Sequence, residues 1–304
     1  MKSKKAMLLF GPTASGKSRL ALDIAKRFNG EIINADSMQV YKEIKILSAR
    51  PYEKIPKHHL YGFISVKKDF SVGAWYKLVT KKIKDINRRR KLPLIVGGTG
   101  LYFKALTEGL VEIPKVPKKD YSYLNHHNKS FMKNQYGKKY AEIFKGIDTN
   151  DTQRVLRALS VYEHTGVTLS DWQKNKNKKY FNRNDFIKIC LVPSKRELEK
   201  KIKKRFIKML KNGAIKEAKN FKKLEISRNS LLSANSIIGL NEIALFLDKR
   251  ISMEELKEKV LIRTRQYAKR QFTWARGQMK DWKGFTDINY LDLRKKVLSY
   301  LSKT

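Results

Sequence analysis

Cysteine and acidic side chains are the scarce residues of this 304-residue chain. A single cysteine, Cys190, cannot close an intramolecular disulfide, and it excludes any zinc site built from cysteine pairs. It lies in the apolar run Phe186-Ile187-Lys188-Ile189-Cys190-Leu191-Val192, where a small buried hydrophobe is expected. Asp and Glu number 28 against 68 Lys and Arg, a formal net charge of +40. That imbalance favours a polyanionic partner through counterion release and long-range attraction, although a generally lysine-rich surface would look the same. Long hydrophobic runs are missing too. No stretch nears the ~20 apolar residues of a membrane span, and the short apolar segment after Met1-Lys2-Ser3-Lys4-Lys5 is too brief for a secretion signal. A cytoplasmic protein without membrane attachment is the expectation.

What is present is enough to fold. Hydrophobic residues make up 41% of the chain, so the charge excess does not imply disorder. The length suits one core with an inserted subdomain better than two equal domains. Ala6 to Phe10 reads as a short buried strand, Glu31 to Ala35 as a second, Leu92 to Val96 as a third and Phe186 to Val192 as a fourth. Between them, Leu20, Ile24 and Phe28 share one helical face, as do Trp75, Leu78, Val79, Ile83 and Ile86 within Val72 to Arg90. Strands alternating with helices predict a parallel sheet covered on both faces. After a linker-like Pro114-Lys115-Val116-Pro117, residues 118–182 are rich in Lys, Asn and Tyr with no strand pattern, which predicts a small helical insertion. The boundaries are 1–112 and 186–304 for the core and 113–185 for the insertion. Ser194 should cap a helix from Lys195 to Asn212, with Glu197 at capping-box spacing, and the remainder is helical with no internal repeat.

Gly11-Pro12-Thr13-Ala14-Ser15-Gly16-Lys17-Ser18 fulfils the P-loop pattern between a strand and a helix. Backbone N–H groups of such a loop turn inward around phosphate oxygens, Lys17 adds a point charge, and the Ser18 hydroxyl suits a magnesium ion. The helix opening at Lys17 adds its positive dipole end. A nucleoside triphosphatase also needs an acid at the end of an apolar strand to hold magnesium. The best such strand here, Leu92-Pro93-Leu94-Ile95-Val96, runs instead into Gly97-Gly98-Thr99, which suits an acceptor substrate or is simply a tight turn.

Ligands of doubly wound sheets sit at the carboxyl ends of the strands, which puts Asp36 across from the phosphate loop. Position alone leaves it a general base, a magnesium ligand or a turn cap. Gln39, three residues on, has an amide that can both donate to and accept from an adenine edge.

Six segments together resemble the tRNA dimethylallyltransferases: GPTASGKS at 11–18, ADSMQVY at 35–41, LIVGGTGLYFKAL at 94–106, NDTQRVLRALSVYEHTG at 150–166, LEKKIKKRFIKML at 198–210 and TRQYAKRQFTWARGQ at 264–278. They stand in the family's order and span most of the chain. The resemblance implies a P-loop NTPase-like α/β fold with an inserted all-helical domain. It also implies transfer of dimethylallyl from its diphosphate to N6 of the adenosine immediately 3′ of the anticodon; a monomer is expected, though the sequence does not fix the oligomeric state. The P-loop then holds a prenyl diphosphate with Mg2+, which accounts for the missing acid, since no phosphoryl group is transferred. Asp36 would take the N6 proton or hydrogen-bond that amine, with Ser37, Met38 and Gln39 on a flipped-out adenosine. Thr99 and Arg205 would contact the diphosphate or its bridging oxygen. Gln153, Arg154, Val155, Leu156 and Arg157 match a segment contacting the anticodon stem-loop, over which the insertion would close.

The chain departs from the family in three places. Ile46-Leu47-Ser48-Ala49-Arg50-Pro51 stands where Ile-Gly-Thr-Ala-Lys-Pro is usual, keeping a hydroxyl and a cation but losing a glycine. Gly239-Leu240-Asn241 replaces Gly-Tyr and a basic residue, removing a ring and a charge from a segment expected at the tRNA. The Asp that follows the family's histidine segment is Gly62 here, and His58 and His59 are read as core or supporting residues without a catalytic role. Arg263, Arg265, Lys269, Arg270 and Arg276 are interleaved with Tyr267, Phe272 and Trp274, as RNA-facing cations or as the charged face of an amphipathic helix with aromatics in the core. The lysine runs at 81–91 and 174–179 read as solvated surface. A P-loop kinase with Asp36 on an acceptor hydroxyl, and a non-catalytic RNA-binding protein with a relic P-loop, are the competing readings.

Overall fold

The computed structural model describes residues 5–53, 55–114, 116, 129–224, 233–287 and 289–304. In chain order the strands are β1 (Ala6–Phe10), β2 (Gly30–Ala35), β3 (His58–His59), β4 (Leu92–Gly97), β5 (Phe186–Leu191) and β6 (Lys283–Phe285). The helices are α1 (Lys17–Arg27), α2 (Val72–Arg88), α3 (Gly100–Glu108), α4 (Lys129–Tyr136), α5 (Lys139–Ile143), α6 (Thr152–Thr165), α7 (Leu169–Gln173), α8 (Lys195–Lys211), α9 (Ala214–Lys222), α10 (Leu240–Leu247), α11 (Met253–Gln278) and α12 (Tyr290–Lys303). Among the described residues, 5–108, 180–224 and 233–304 form one compact unit and 109–179 a second.

The first unit is built on a sheet of order β3-β2-β4-β1-β5-β6 with every pairing parallel. β1 sits between β4 and β5 and all five of its residues are buried, as an uninterrupted apolar run requires when both faces are covered. One face, through Met7, Leu9, Ile32, Leu94 and Ile189, packs on Leu20 and Ile24 of α1 and on Leu293, Val297 and Leu301 of α12. On the other face α2 and α3 close the sheet: Phe10 meets Phe103 edge-on, and Trp75 Nε1 donates to the Asn34 carbonyl at 2.8 Å. The four predicted strands are all present. β3 and β6 were not foreseen, because strands of two and three residues at the sheet edges carry no readable period. Ser194 caps α8 by accepting from the Glu197 N–H, as its spacing predicts. Cys190 is buried, and burial pushes its thiol up to about 11.

The predicted core and supporting role fits both histidines. His59 Nε2 lies 2.7 Å from Glu31, a buried carboxylate also held by Arg89 and Lys91, while His58 Nδ1 meets the Pro56 carbonyl. Glu31 is held well below the ordinary carboxylate range, first by its hydrogen bonds from Arg89. The hydroxyl and cation of Ser48 and Arg50 are spent on backbone: Ser48 Oγ donates to the Ile44 carbonyl and Arg50 Nη1 to that of Tyr41.

The second unit is helical. Met132 of α4, Ile143 of α5, the neighbouring Phe144, and Val155, Leu156, Ala158 and Leu159 of α6 form its core. Asp151 caps α6 by accepting from the Arg154 N–H, and Gly166 ends the helix at φ 70°. Leu110 and Lys178 join the two ends of the unit by an antiparallel bridge. The linker at 114–117 and the start of the insertion at 118–128 fall largely outside the described residues. Residues 180–185, placed with the insertion by composition, pack in the first unit instead. Tyr180 N donates to the Tyr76 hydroxyl and Phe181 packs edge-on against Phe186.

Candidate active site

The carboxyl ends of β1, β2 and β4 meet in a small knot of backbone. Gly11 N donates to the Gly97 carbonyl at 3.2 Å, and Thr99 N to that of Ala35 at the same distance. A Cβ on Gly97 would lie 2.0 Å from the Ala35 carbonyl oxygen, so only glycine allows β2 and β4 to end this close together. The loop from Gly11 to Gly16 turns around this knot, with Ser15 N donating to the Pro12 carbonyl and Gly16 at φ 89° before α1 opens. A helix of 11 residues thus starts directly on the loop with unsatisfied N–H groups at its end.

Above the knot lies a cavity of about 740 Å³. Its polar wall comes from Thr13 to Arg19, Asp36, Gln39, Arg205 and Arg270. Its apolar wall comes from Leu47, Ile202, Phe206, Met209, Ile237 and Val260, residues of the layer that α8 to α11 build beside the sheet.

Asp36 is 9% exposed. Its backbone is pinned by Asn34, whose side chain accepts from the Asp36 N–H at 2.8 Å and donates to its carbonyl at 2.9 Å. One carboxylate oxygen accepts from Met38 N–H at 3.0 Å, and the second has no hydrogen-bond partner among the described residues. Thr99 Oγ1 accepts from Ser37 N–H at 2.9 Å and donates to Ser37 Oγ at 3.3 Å, which ties it to the residue after Asp36.

The cations are half-buried and line the same cavity as the carboxylate. Burial lowers Lys17 to about 8, the attraction of Asp36 opposes that shift, and repulsion from Arg205 adds to it. Lys17 Nζ donates to the Pro12 carbonyl at 3.3 Å and Arg205 Nη2 to Thr13 Oγ1 at 2.7 Å. Burial also lowers Arg205, again against the pull of Asp36. Tyr267 is driven upward by burial and by the same carboxylate, so its hydroxyl stays protonated. Ser15 Oγ is buried without a hydrogen-bond partner. Two partly desolvated cations, a polar cradle and a carboxylate are groups that can stabilise an anion and accept a proton.

Some expectations change here. Gln39 does not both donate and accept toward a ligand, because its amide nitrogen donates to the Ser48 and Ala49 carbonyls at 2.9 and 3.0 Å. Leu240 is not at the surface but 4% exposed, packed in one cluster with Leu47, and Gly239 at φ 103° leaves room for that leucine. Arg263 is not a free cation, since it pairs with the buried Glu242. Val155 and Leu156 are 0% and 3% exposed in the core of the helical unit, so their side chains cannot meet RNA; Gln153, Arg154 and Arg157 of that segment are exposed.

Sequence reasoning missed Gln271. It is 5% exposed and ties the phosphate loop to the β4 turn, accepting from Thr13 N–H at 2.8 Å and donating to the Gly98 carbonyl at 2.9 Å. The signal was a polar residue in the buried stripe Val260, Thr264, Ala268, Gln271, Ala275 of α11.

Comparison with known proteins agrees with this geometry. A model of the IPP transferase family matches residues 39–278, and one of isopentenyl transferases matches residues 4–58. The chain is 46% identical over 288 residues to a tRNA dimethylallyltransferase of Pelagibacter ubique, covering 92% of this chain and 91% of the relative. It is 39% identical to that of Rhizobium etli, covering 93% and 97%. Among solved structures, the tRNA isopentenylpyrophosphate transferase of Staphylococcus epidermidis superimposes with a TM-score of 0.66 at 30% identity, covering 98% of both chains. A eukaryotic dimethylallyltransferase crystallised acting on tRNA gives 0.75 at 26% identity, covering 98% of this chain and 78% of that one. With its P-loop, its carboxylate and relatives of this closeness along nearly its whole length, the chain belongs to the IPP transferase family, that of the tRNA dimethylallyltransferases.

Proposed function

We propose that this chain transfers the dimethylallyl group of dimethylallyl diphosphate to N6 of the adenosine immediately 3′ of the anticodon in tRNA, releasing diphosphate. The observation that carries the proposal is a single cavity in which the P-loop, Lys17 and Arg205 share space with Asp36 and an apolar wall. The cationic cradle fits a diphosphate, the apolar wall a five-carbon chain, and the free oxygen of Asp36 an amine proton. Among the described residues no other carboxylate borders the cavity, which suits departure of diphosphate better than transfer of a phosphoryl group.

An exocyclic adenine amine is a weak nucleophile because its lone pair is delocalised into the ring. As the new C–N bond forms, the allylic C–O bond breaks and its electron pair leaves with the diphosphate, while Asp36 accepts the N6 proton. Lys17, Arg205 and the loop N–H groups stabilise the growing charge on the leaving oxygens, and the Thr99 hydroxyl adds a donor by turning its proton from Ser37 Oγ to the diphosphate. Mg2+ fits this site through the exposed Ser18 hydroxyl at the cavity edge, a hard oxygen donor beside the phosphate loop. Held by Ser18 and by phosphate oxygens, it would supply further positive charge to the leaving group.

The tRNA is met by cationic surface: Arg154 and Arg157 on α6, and Arg270 at the cavity. We read the enzyme as a monomer. Its tRNA substrate puts its work in the cytoplasm. No helix among the described residues is long and apolar enough to cross a membrane. Incubation with dimethylallyl diphosphate, Mg2+ and unmodified tRNA, followed by mass analysis of nucleosides, should reveal N6-dimethylallyladenosine. Consumption of ATP with a small acceptor, and no such nucleoside, would make the enzyme a kinase instead.

A further inference from the structure

Gln39 borders the cavity and is 9% exposed, and its amide has only one possible orientation. Its Nε2 faces two carbonyl oxygens, those of Ser48 and Ala49, and a primary amide has two N–H groups to give. The reversed amide would set Oε1 against both carbonyls. Oε1 therefore turns away from them, has no hydrogen-bond partner among the described residues, and is not sealed from solvent. The backbone on either side is fixed as well, with Gln39 N donating to the Asp36 carbonyl at 3.2 Å and the Gln39 carbonyl accepting from Gly62 N at 2.9 Å.

The carbonyls that hold Gln39 belong to a loop that is itself held from outside the cavity. Glu217 of α9 accepts from three consecutive N–H groups: Lys45 at 2.6 Å, Ile46 at 2.8 Å and Leu47 at 2.8 Å. No residue of α9 lines the cavity, yet its carboxylate anchors the loop whose next two carbonyls take both Gln39 protons. The cavity consequently presents acceptors only on this side: Gln39 Oε1 and the free oxygen of Asp36.

We infer that Gln39 is a specificity-determining acceptor for the exocyclic amine of the substrate base, and that Glu217 is the positioning residue that keeps it an acceptor. This rests on reading the cavity as the adenosine site. An adenine amine carries two hydrogens, one for Asp36 and one for Gln39. Guanine and hypoxanthine present an oxygen at that place, which two acceptors repel. A rotated Gln39, offering its NH2 group, would tolerate that oxygen.

The test uses the full-length enzyme and anticodon stem-loop RNAs that differ only in adenosine or inosine 3′ of the anticodon. Dissociation constants come from fluorescence anisotropy, and prenylation of the adenosine RNA is followed alongside. The wild type should prefer adenosine by about tenfold. Glu217→Gln keeps the size of the side chain but sets an NH2 in place of one oxygen, against two of the three N–H groups. It should lower the ratio severalfold, toward the preference that Asp36 alone gives, and Gln39→Leu should do the same. Adding Glu217→Gln to Gln39→Leu should change the ratio no further. A merely structural Glu217 would weaken both RNAs equally and leave the ratio intact, which would overturn the inference. So would a wild type that binds both RNAs alike while still prenylating adenosine. If Glu217→Gln does not fold, an unchanged ratio in Gln39→Leu overturns it alone. Absence of prenylation by the wild type would instead defeat the functional reading beneath it.

Discussion

The α/β unit and the helical unit meet their polar requirements in opposite ways. Around the cavity, several polar groups are fixed by partners far away in sequence, in addition to the local contacts of Asp36 and Lys17: Gln271 spans Thr13 and Gly98, Arg205 holds Thr13, and Thr99 holds Ser37. On α6 the cations stand exposed, and their only fixings are local, such as Arg154 with Asp151 three residues before it at 3.1 Å. Stabilising charge at a reacting centre needs groups already in place, because reorganisation during the reaction would cost the benefit. Attraction of an RNA backbone tolerates mobile side chains, since the gain comes mainly from counterion release. Rigid long-range contacts accordingly mark chemistry in this chain, and exposed local pairs mark binding.

Substitutions can break this contrast. The largest effect belongs to Asp36→Ala, which should lower kcat by about 10²–10⁴ while leaving the tRNA dissociation constant nearly unchanged. Steady-state rates beside filter binding check it, and full turnover would remove Asp36 from the chemistry. Lys17 should impose a pH dependence on donor binding. Its folded-state value of about 8 means that the ammonium is present below that pH and lost above it. KM for dimethylallyl diphosphate should therefore climb above about pH 8, by at most about tenfold per unit. Lys17→Ala should abolish that slope, and a flat wild-type profile would contradict it.

Gln271→Leu should lower stability by about 1–3 kcal/mol, because it strands the Thr13 N–H and Gly98 carbonyl. It should raise KM for the diphosphate without altering tRNA affinity, and thermal melts with kinetics would show both. On α6, Arg157→Ala should weaken tRNA binding and reduce the salt slope by about one, since Arg157 has no acidic partner among the described residues. Arg154→Ala should do less, because its charge is already shared with Asp151. Equal losses from the two arginines, measured across a salt series, would erase the distinction between them.

The same contrast explains what could be read in advance. The P-loop, β1 and α1 were legible because each is a contiguous signal: fixed residues, five consecutive apolar positions, a 3.6-residue period. Asp36 was legible as a strand end, and its chemistry only through the family resemblance. Gln39 was found, but its polarity was not, because the orientation of an amide depends on carbonyls nine and ten residues away. Gln271 and Glu217 escaped for a similar reason, since their partners lie across the fold. Val155 and Leu156 were carried over with a matched segment, although the helical period of α6 sets them on its buried face with Leu159. The two edge strands are too short for any period to be seen.

The most direct test of the whole account is the stoichiometry of a single turnover with labelled dimethylallyl diphosphate and unmodified tRNA. One diphosphate should be released for each N6-dimethylallyladenosine formed 3′ of the anticodon, with none released when tRNA is withheld. Diphosphate release with no modified adenosine, or a prenyl group found on a different nucleoside, would contradict it.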